Sequence, residues 1–188
     1  MIFNPDQCQR LHTRDIHVVS YLHQAEAIAL EGRLTDDRLN AVYTLFGQKR
    51  PPGIVHDMIV RMIVRGPKLV IEEIEAEMVT VPNPDCRGAL NSLLPLKGEG
   101  ISAGFTAKVH RLVGGEKGCA HLVALCRAMA SAAIQGAWSA VASRPLTEGK
   151  LTKRHLKSVI NTCHLWRPDG PLVQEANALL EDKSPDHP

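Results

Sequence analysis

The sequence is poor in aromatic residues, which make up 4 % of its 188 positions, and this argues against the stacking platforms on which single-stranded nucleic acids are bound. It also lacks a dominant charge. Twenty-two Lys and Arg stand against 20 Asp and Glu, too balanced for an electrostatically driven nucleic-acid or membrane binder, so neither nucleic acid nor a membrane is an expected partner. No phosphate loop G-x-x-x-x-G-K-[ST], dinucleotide G-x-G-x-x-G, G-x-S-x-G elbow or H-E-x-x-H occurs, so no nucleotide cofactor is expected. No C-x-x-C pair and no internal repeat is found, and the five cysteines leave an odd thiol in any full pairing. The start MIFNPDQCQR has no basic region followed by an apolar one, and with the unpaired thiols this points to the cytoplasm.

A chain of this length buries enough surface to need neither disulfide nor metal for its core, so any metal would serve function. The expected organisation is one α+β domain over residues 1–170 and a tail over 171–188. HTRDIHVVSYL and AEAIALEGRL, around His23-Gln24, read as one hairpin, and residues 36–53, with DDRLN and Pro51-Pro52-Gly53, as an irregular crossing. VHDMIVRMIVR and KLVIEEIEAEMVTV, around Gly66-Pro67, read as a second hairpin. Arg61 and Arg65 are placed to meet Glu73, Glu75 or Glu77 across it.

After Pro84 the period changes to that of helices. Asp85 is expected to cap a helix through Leu94, and Ser102 one carrying Phe105, Val109 and Leu112. The apolar run from Ala120 to Ala142, interrupted by His121, Arg127 and Gln135, reads as a buried helix with Leu122, Leu125, Cys126, Met129 and Ala133 on one stripe. A further helix is expected from about Thr147 to Cys163. The fold class is therefore α+β: a mostly antiparallel sheet of two hairpins, covered on one face by three or more C-terminal helices.

Candidate chemistry starts at His56 and Asp57, where the crossing becomes strand. Cys86 and Cys119 each open an expected helix, whose positive end favours thiolate, and His121 follows Cys119 by two positions. Asp57, Cys86, Cys119 and His121 form a donor set suited to zinc or iron, with Cys163 and His164 in reserve. His12 and Arg14 share one face of the first strand with Ile16 and Val18. An arginine entering an apolar face needs an anionic partner, either a substrate carboxylate or phosphate or a fixed acid such as Asp36 or Glu31.

The segments LHTRDI, VHDMIVRMIV, PNPDC, GFTAKVHRLVGGEKGCAHL and CHLWRPDG resemble a bacterial family catalogued as a domain of unknown function, which implies a cytoplasmic protein and supplies no activity. The order of an Asp-bearing strand, a hairpin, a Cys-led helix and a Cys/His-led long helix over residues 54–142 resembles iron-sulfur cluster assembly scaffolds. That resemblance implies ligand positions at Asp57, Cys86 and the Cys119–His121 segment. Val55 replaces the scaffold's first cysteine, and its proline-rich recognition motif is missing from Val113–Lys117.

Two readings follow. In one the protein holds zinc or iron, or a reactive thiol, through Asp57, Cys86, Cys119 and His121. In the other it is a metal-free lyase or hydrolase for a small anionic organic molecule, with Arg14 and His12 binding the anion, His56 and Asp57 as acid–base groups and Cys86 or Cys119 as nucleophile. A homo-oligomer is compatible with both.

Overall fold

The computed structural model of the chain describes residues 2–24, 27–142, 156–157 and 159–181. They divide into two units, one over residues 1–140 and one over 141–188. In the first unit, β1 (His12–His23), β2 (Ala27–Arg38), β5 (Gly53–Arg65) and β6 (Val70–Thr80) make an antiparallel sheet in the order β1-β2-β5-β6. The two hairpins expected from the alternation are present. Residues 36–53 are more ordered than their turn-rich composition suggests. β2 runs on to Arg38, and a two-stranded ribbon, β3 (Val42–Tyr43) with β4 (Lys49–Arg50), fills the crossing.

Side chains alternate across the sheet. On β2, Ile28, Leu30 and Leu34 face the core, and on β5 so do Met58, Val60, Met62 and Val64. The opposite face is charged, with Arg61 on Glu31 (2.7 Å), Glu77 (3.2 Å) and Glu75 (3.4 Å). Arg65 pairs with Glu72, while Glu73 takes Lys97.

The segment Pro84–Leu96 is a 3-10 run instead of the expected α-helix, and Asn83 caps it by accepting from the Asp85 amide. Helix α1 (Phe105–Val113) begins after Gly104 at φ 85°, with no side-chain cap; Ser102 contributes its backbone carbonyl to the Phe105 amide. Gly114 ends it. Helix α2 (Ala120–Ala142) buries Leu122, Leu125, Cys126, Met129 and Ala133, the stripe read from the sequence. It lies close on the sheet because β2 offers Gly32: a Cβ there would stand 2.7 Å from Met129 Sδ and 2.9 Å from Leu125 Cδ1. No helix among the described residues is long and apolar enough to cross a membrane.

In the second unit, α3 (Pro171–Glu181) is helical where a tail was expected. Pro171 suits a first helical position, and Val173 and Ala176, three residues apart, are buried, Ala176 packing with Leu156 and Val159. Most of the helix expected from Thr147 to Cys163, and the last seven residues, lie outside the described residues.

Cys126 is fully buried, and burial pushes its thiol up to about 12, whereas Cys8 and Cys163 are exposed. Alkylation of the native protein near neutral pH should therefore label Cys8 and Cys163 and spare Cys126 until the chain is unfolded. Peptide mass spectrometry reads the order directly, and early labelling of Cys126 would contradict its placement in the core.

Candidate functional site

The apolar face of β2 ends in an acid. Asp36 continues the series Ile28, Leu30, Gly32, Leu34 on the helix-covered side and is 2 % exposed. Register places Arg14 of β1 and His56 of β5 on either side of it, and all three side chains share one face. The Arg14 guanidinium donates to both carboxylate oxygens, Nε to Oδ1 at 2.7 Å and Nη2 to Oδ2 at 2.8 Å. His12, two residues before Arg14, brings Nε2 to 3.3 Å from Oδ1.

The other side of the carboxylate receives two imidazoles. His56 Nδ1 stands 3.0 Å from Oδ2. His121, in the first turn of α2, brings Nε2 to 3.2 Å from the same oxygen. The two rings stack, with centroids 3.7 Å apart and planes at 28°. The Cys119 sulfur is 3.7 Å from His121 Nδ1, and its carbonyl accepts from the Val123 amide at the start of α2. The helix N-terminus thus presents His121 to Asp36, with the positive end of the dipole toward the carboxylate.

Two β-bulges flank His56. One lies opposite Asp36/Asp37 on the β2 side, the other between Asp57 and Met58 on the β6 side. Bulges twist a strand end and re-aim its side chains; the extra residue is Val55 on β5 in the first and Val79 on β6 in the second.

The electrostatics follow from this packing. The Arg14 hydrogen bonds lead in lowering the Asp36 carboxyl to about 2, against the opposing effect of its burial. Burial, then the neighbouring His56, pushes His121 down from its usual value. A neutral imidazole with a nitrogen lone pair is the form that ligates metal.

Among the described residues, the donor atoms of Asp36, His56 and His121 lie within 4.8 Å of one another, an arrangement that could hold an ion. This is not the set expected from sequence. Only His121 belongs to both. Asp57 points away from His56, as neighbours on a strand must, and is held by Arg33 through Nε–Oδ1 at 2.8 Å and Nη2–Oδ2 at 2.6 Å. Cys86 packs half-buried against the hydrophobic core in the 3-10 segment. Cys119 approaches His121 without joining the three-donor group. His12 and Arg14 do share the site, but the Arg14 fork is spent on Asp36, the fixed acid, instead of standing free for a substrate. Cys163 is exposed in the second unit.

Asp36 is the member of this group that the sequence reading named only as a fixed acid for Arg14. The signal for it was the unbroken alternation of β2 through Leu34, which carries an acid at the next core-facing position; the DDRLN composition masked it.

A family model described as a protein of unknown function (DUF2889) matches residues 12–135. The matched region contains His12, Arg14, Asp36, His56, Cys119 and His121 and stops before Cys163 and His164. No curated protein matches, and no solved structure does.

Proposed function

We propose that this chain, which belongs to the DUF2889 family, is a metal-binding protein whose ligands are Asp36, His56 and His121. The observation that carries the reading is the convergence of two imidazole nitrogens on one carboxylate oxygen at 3.0 and 3.2 Å. Ligand atoms bonded at about 2.0–2.1 Å to one ion in a tetrahedral shell stand about 3.3 Å apart. The two oxygen–nitrogen separations therefore match edges of a coordination shell, and all three donors lie within 4.8 Å of one another.

Hydrogen bonds account for three of the contacts on the Asp36 carboxylate, two from Arg14 and one with His56, within its about four lone-pair sites. His121 Nε2, 3.2 Å from Oδ2, makes none, and an ion between Oδ2 and the two imidazoles would give that nitrogen a bond. Arg14 and His12 would then hold the ligating carboxylate from behind, the usual support for such a ligand.

Two nitrogens and one oxygen suit zinc or iron and leave coordination positions open. The Asp36 and Arg14 charges cancel, so a divalent ion between neutral imidazoles would leave the site positive. That supports an anionic small molecule as its exogenous ligand, and the ion would polarise an oxygen bound beside it. A second reading rests on the His56–Asp36 contact: without metal, the carboxylate orients the imidazole as an acid–base group.

Elemental analysis of protein prepared without chelator and with any affinity tag removed separates the two. About one equivalent of zinc or iron is expected, falling by tenfold or more in His56→Ala and His121→Ala. Asp57→Asn and Cys86→Ser should retain it. Wild-type protein that neither retains nor binds either metal on titration would leave the metal-free reading in place.

A further inference from the structure

We propose that the β3–β4 ribbon is a membrane-contact finger, which inserts Leu45 and Phe46 into the interfacial layer of a bilayer carrying anionic lipid. The inference is independent of the metal reading.

The tip is built and left bare. Leu45 is 102 % exposed and Phe46 91 %, with Tyr43 also exposed beside them. Isolated surface apolar side chains are ordinary, but these two adjoin on a fixed turn. The Thr44 amide donates to the Gln48 carbonyl and the Gly47 amide to the Thr44 carbonyl, both at 2.9 Å. The Thr44 hydroxyl accepts from the Phe46 and Gln48 amides at 3.3 and 3.2 Å. Gly47 supplies the positive φ of 76° that closes the loop. The amides of Thr44, Phe46, Gly47 and Gln48 are thus satisfied within the turn, which lowers the cost of seating the tip in the interfacial layer, where headgroups and water remain to meet the Leu45 amide.

Charge selects the surface. Between Arg38 and Ile54 the sequence carries Arg38, Lys49 and Arg50 and no acid, so a balanced chain has a locally cationic ribbon. Arg38 donates to the Pro51 carbonyl and Arg50 to the Gln48 side chain; among the described residues no carboxylate pairs with either of them or with Lys49. Basic side chains at the neck of an apolar tip suit lipid phosphates. Shape favours lipid over a protein partner. A stable protein interface covers about 1,200 Å² or more with matched relief, whereas two side chains on a ribbon of two residue pairs form a small convex point. A bilayer closes around such a point without complementarity.

The test is flotation of the full chain with vesicles of phosphatidylcholine alone or mixed with phosphatidylglycerol. Wild type should float with the mixed vesicles at low salt, and not with phosphatidylcholine alone; the bound fraction should fall as salt screens the neck. Leu45→Ser/Phe46→Ser should reduce binding about tenfold or more, with unchanged circular dichroism because both side chains are solvent-exposed. Lys49→Gln/Arg50→Gln should weaken it too. A Phe46→Trp variant should gain blue-shifted emission on mixed vesicles, read against the Trp138 and Trp166 background. Absence of flotation at low salt, equal flotation of the tip variant, or unshifted emission from the Phe46→Trp variant overturns the proposal. So does a tip variant that only converts a dimer to a monomer in sedimentation, which would make the tip a contact between copies.

Discussion

Asp36→Ala is expected to destabilise the metal-free chain by about 2 kcal/mol and to remove divalent-metal binding. Removing one member of a buried ion pair costs roughly 3–5 kcal/mol when the survivor cannot reach water. Here Arg14 and His12 are partly exposed and recover hydration, which moves the expectation to the lower figure. His56 and His121 are more enclosed and lose their acceptor outright. Asp36→Asn should not rescue, because an amide turns an N–H toward a ring of donors.

Titration gives a matching size and a sign. The folded carboxyl lies at about 2 against an ordinary 3.8, and each pKa unit is about 1.4 kcal/mol of stability. The group is depressed in the folded state, so its contribution is present above about pH 4 and is lost as pH falls toward 2. Urea unfolding of metal-free wild type and Asp36→Asn across that range should show the larger loss in the first, the difference being the part that belongs to Asp36, since other paired carboxylates titrate in both. An Asp36→Ala midpoint no lower than that of Asp15→Ala, at an exposed position of β1, would mean the cluster contributes nothing to folding.

The sheet was legible because its alternation is strong. Met58, Val60, Met62 and Val64 repeat at period two, and tertiary structure needs only to cover them. The stripe of α2 was legible for the same reason at period 3.6. Helix starts were less so. Asn83 takes the cap expected of Asp85, since neighbouring polar residues can satisfy the same amides, and Gly104 opens α1 where Ser102 was expected, its positive φ turning the chain into the helix without a side-chain cap. The site was half legible. His12, Arg14, His56 and His121 were singled out from face, context and chemistry, and all meet at Asp36. Asp57 draws attention because it adjoins His56 in sequence, yet on a strand adjacency sends two side chains to opposite faces. The cysteines were weighted by helix-terminus chemistry, which does not reveal which neighbours a 3-10 segment will bring. The convergence itself brings a residue of the first turn of α2 onto residues of two neighbouring strands, beside two register shifts. No short motif encodes these.

The closeness of α2 to the sheet at Gly32 predicts the effect of Gly32→Val, expected to cost about 3 kcal/mol and to weaken metal binding at residues it does not touch. The added Cβ alone would lie 2.7 Å from Met129 Sδ and 2.8 Å from its Cγ. Gly32→Ala meets the flexible end of a methionine, which can turn aside, so its cost should be near 1 kcal/mol, on the order of a mild overpacking. Valine adds two further methyls against Met129 and Leu125 and leaves the helix no choice but to lift. His121 lies eight residues toward the N-terminus of α2 from Met129, about 12 Å along the same rigid element. A shift of a few tenths of an ångström there separates Nε2 from Asp36 Oδ2, now 3.2 Å apart. Met129→Ala makes room beneath the helix and should be destabilising alone, yet restore part of both stability and metal content when combined with Gly32→Val. A double-mutant cycle read by urea unfolding and by metal content measures that coupling. Simple additivity in both readouts would show that contact at Gly32 does not seat α2 over the site.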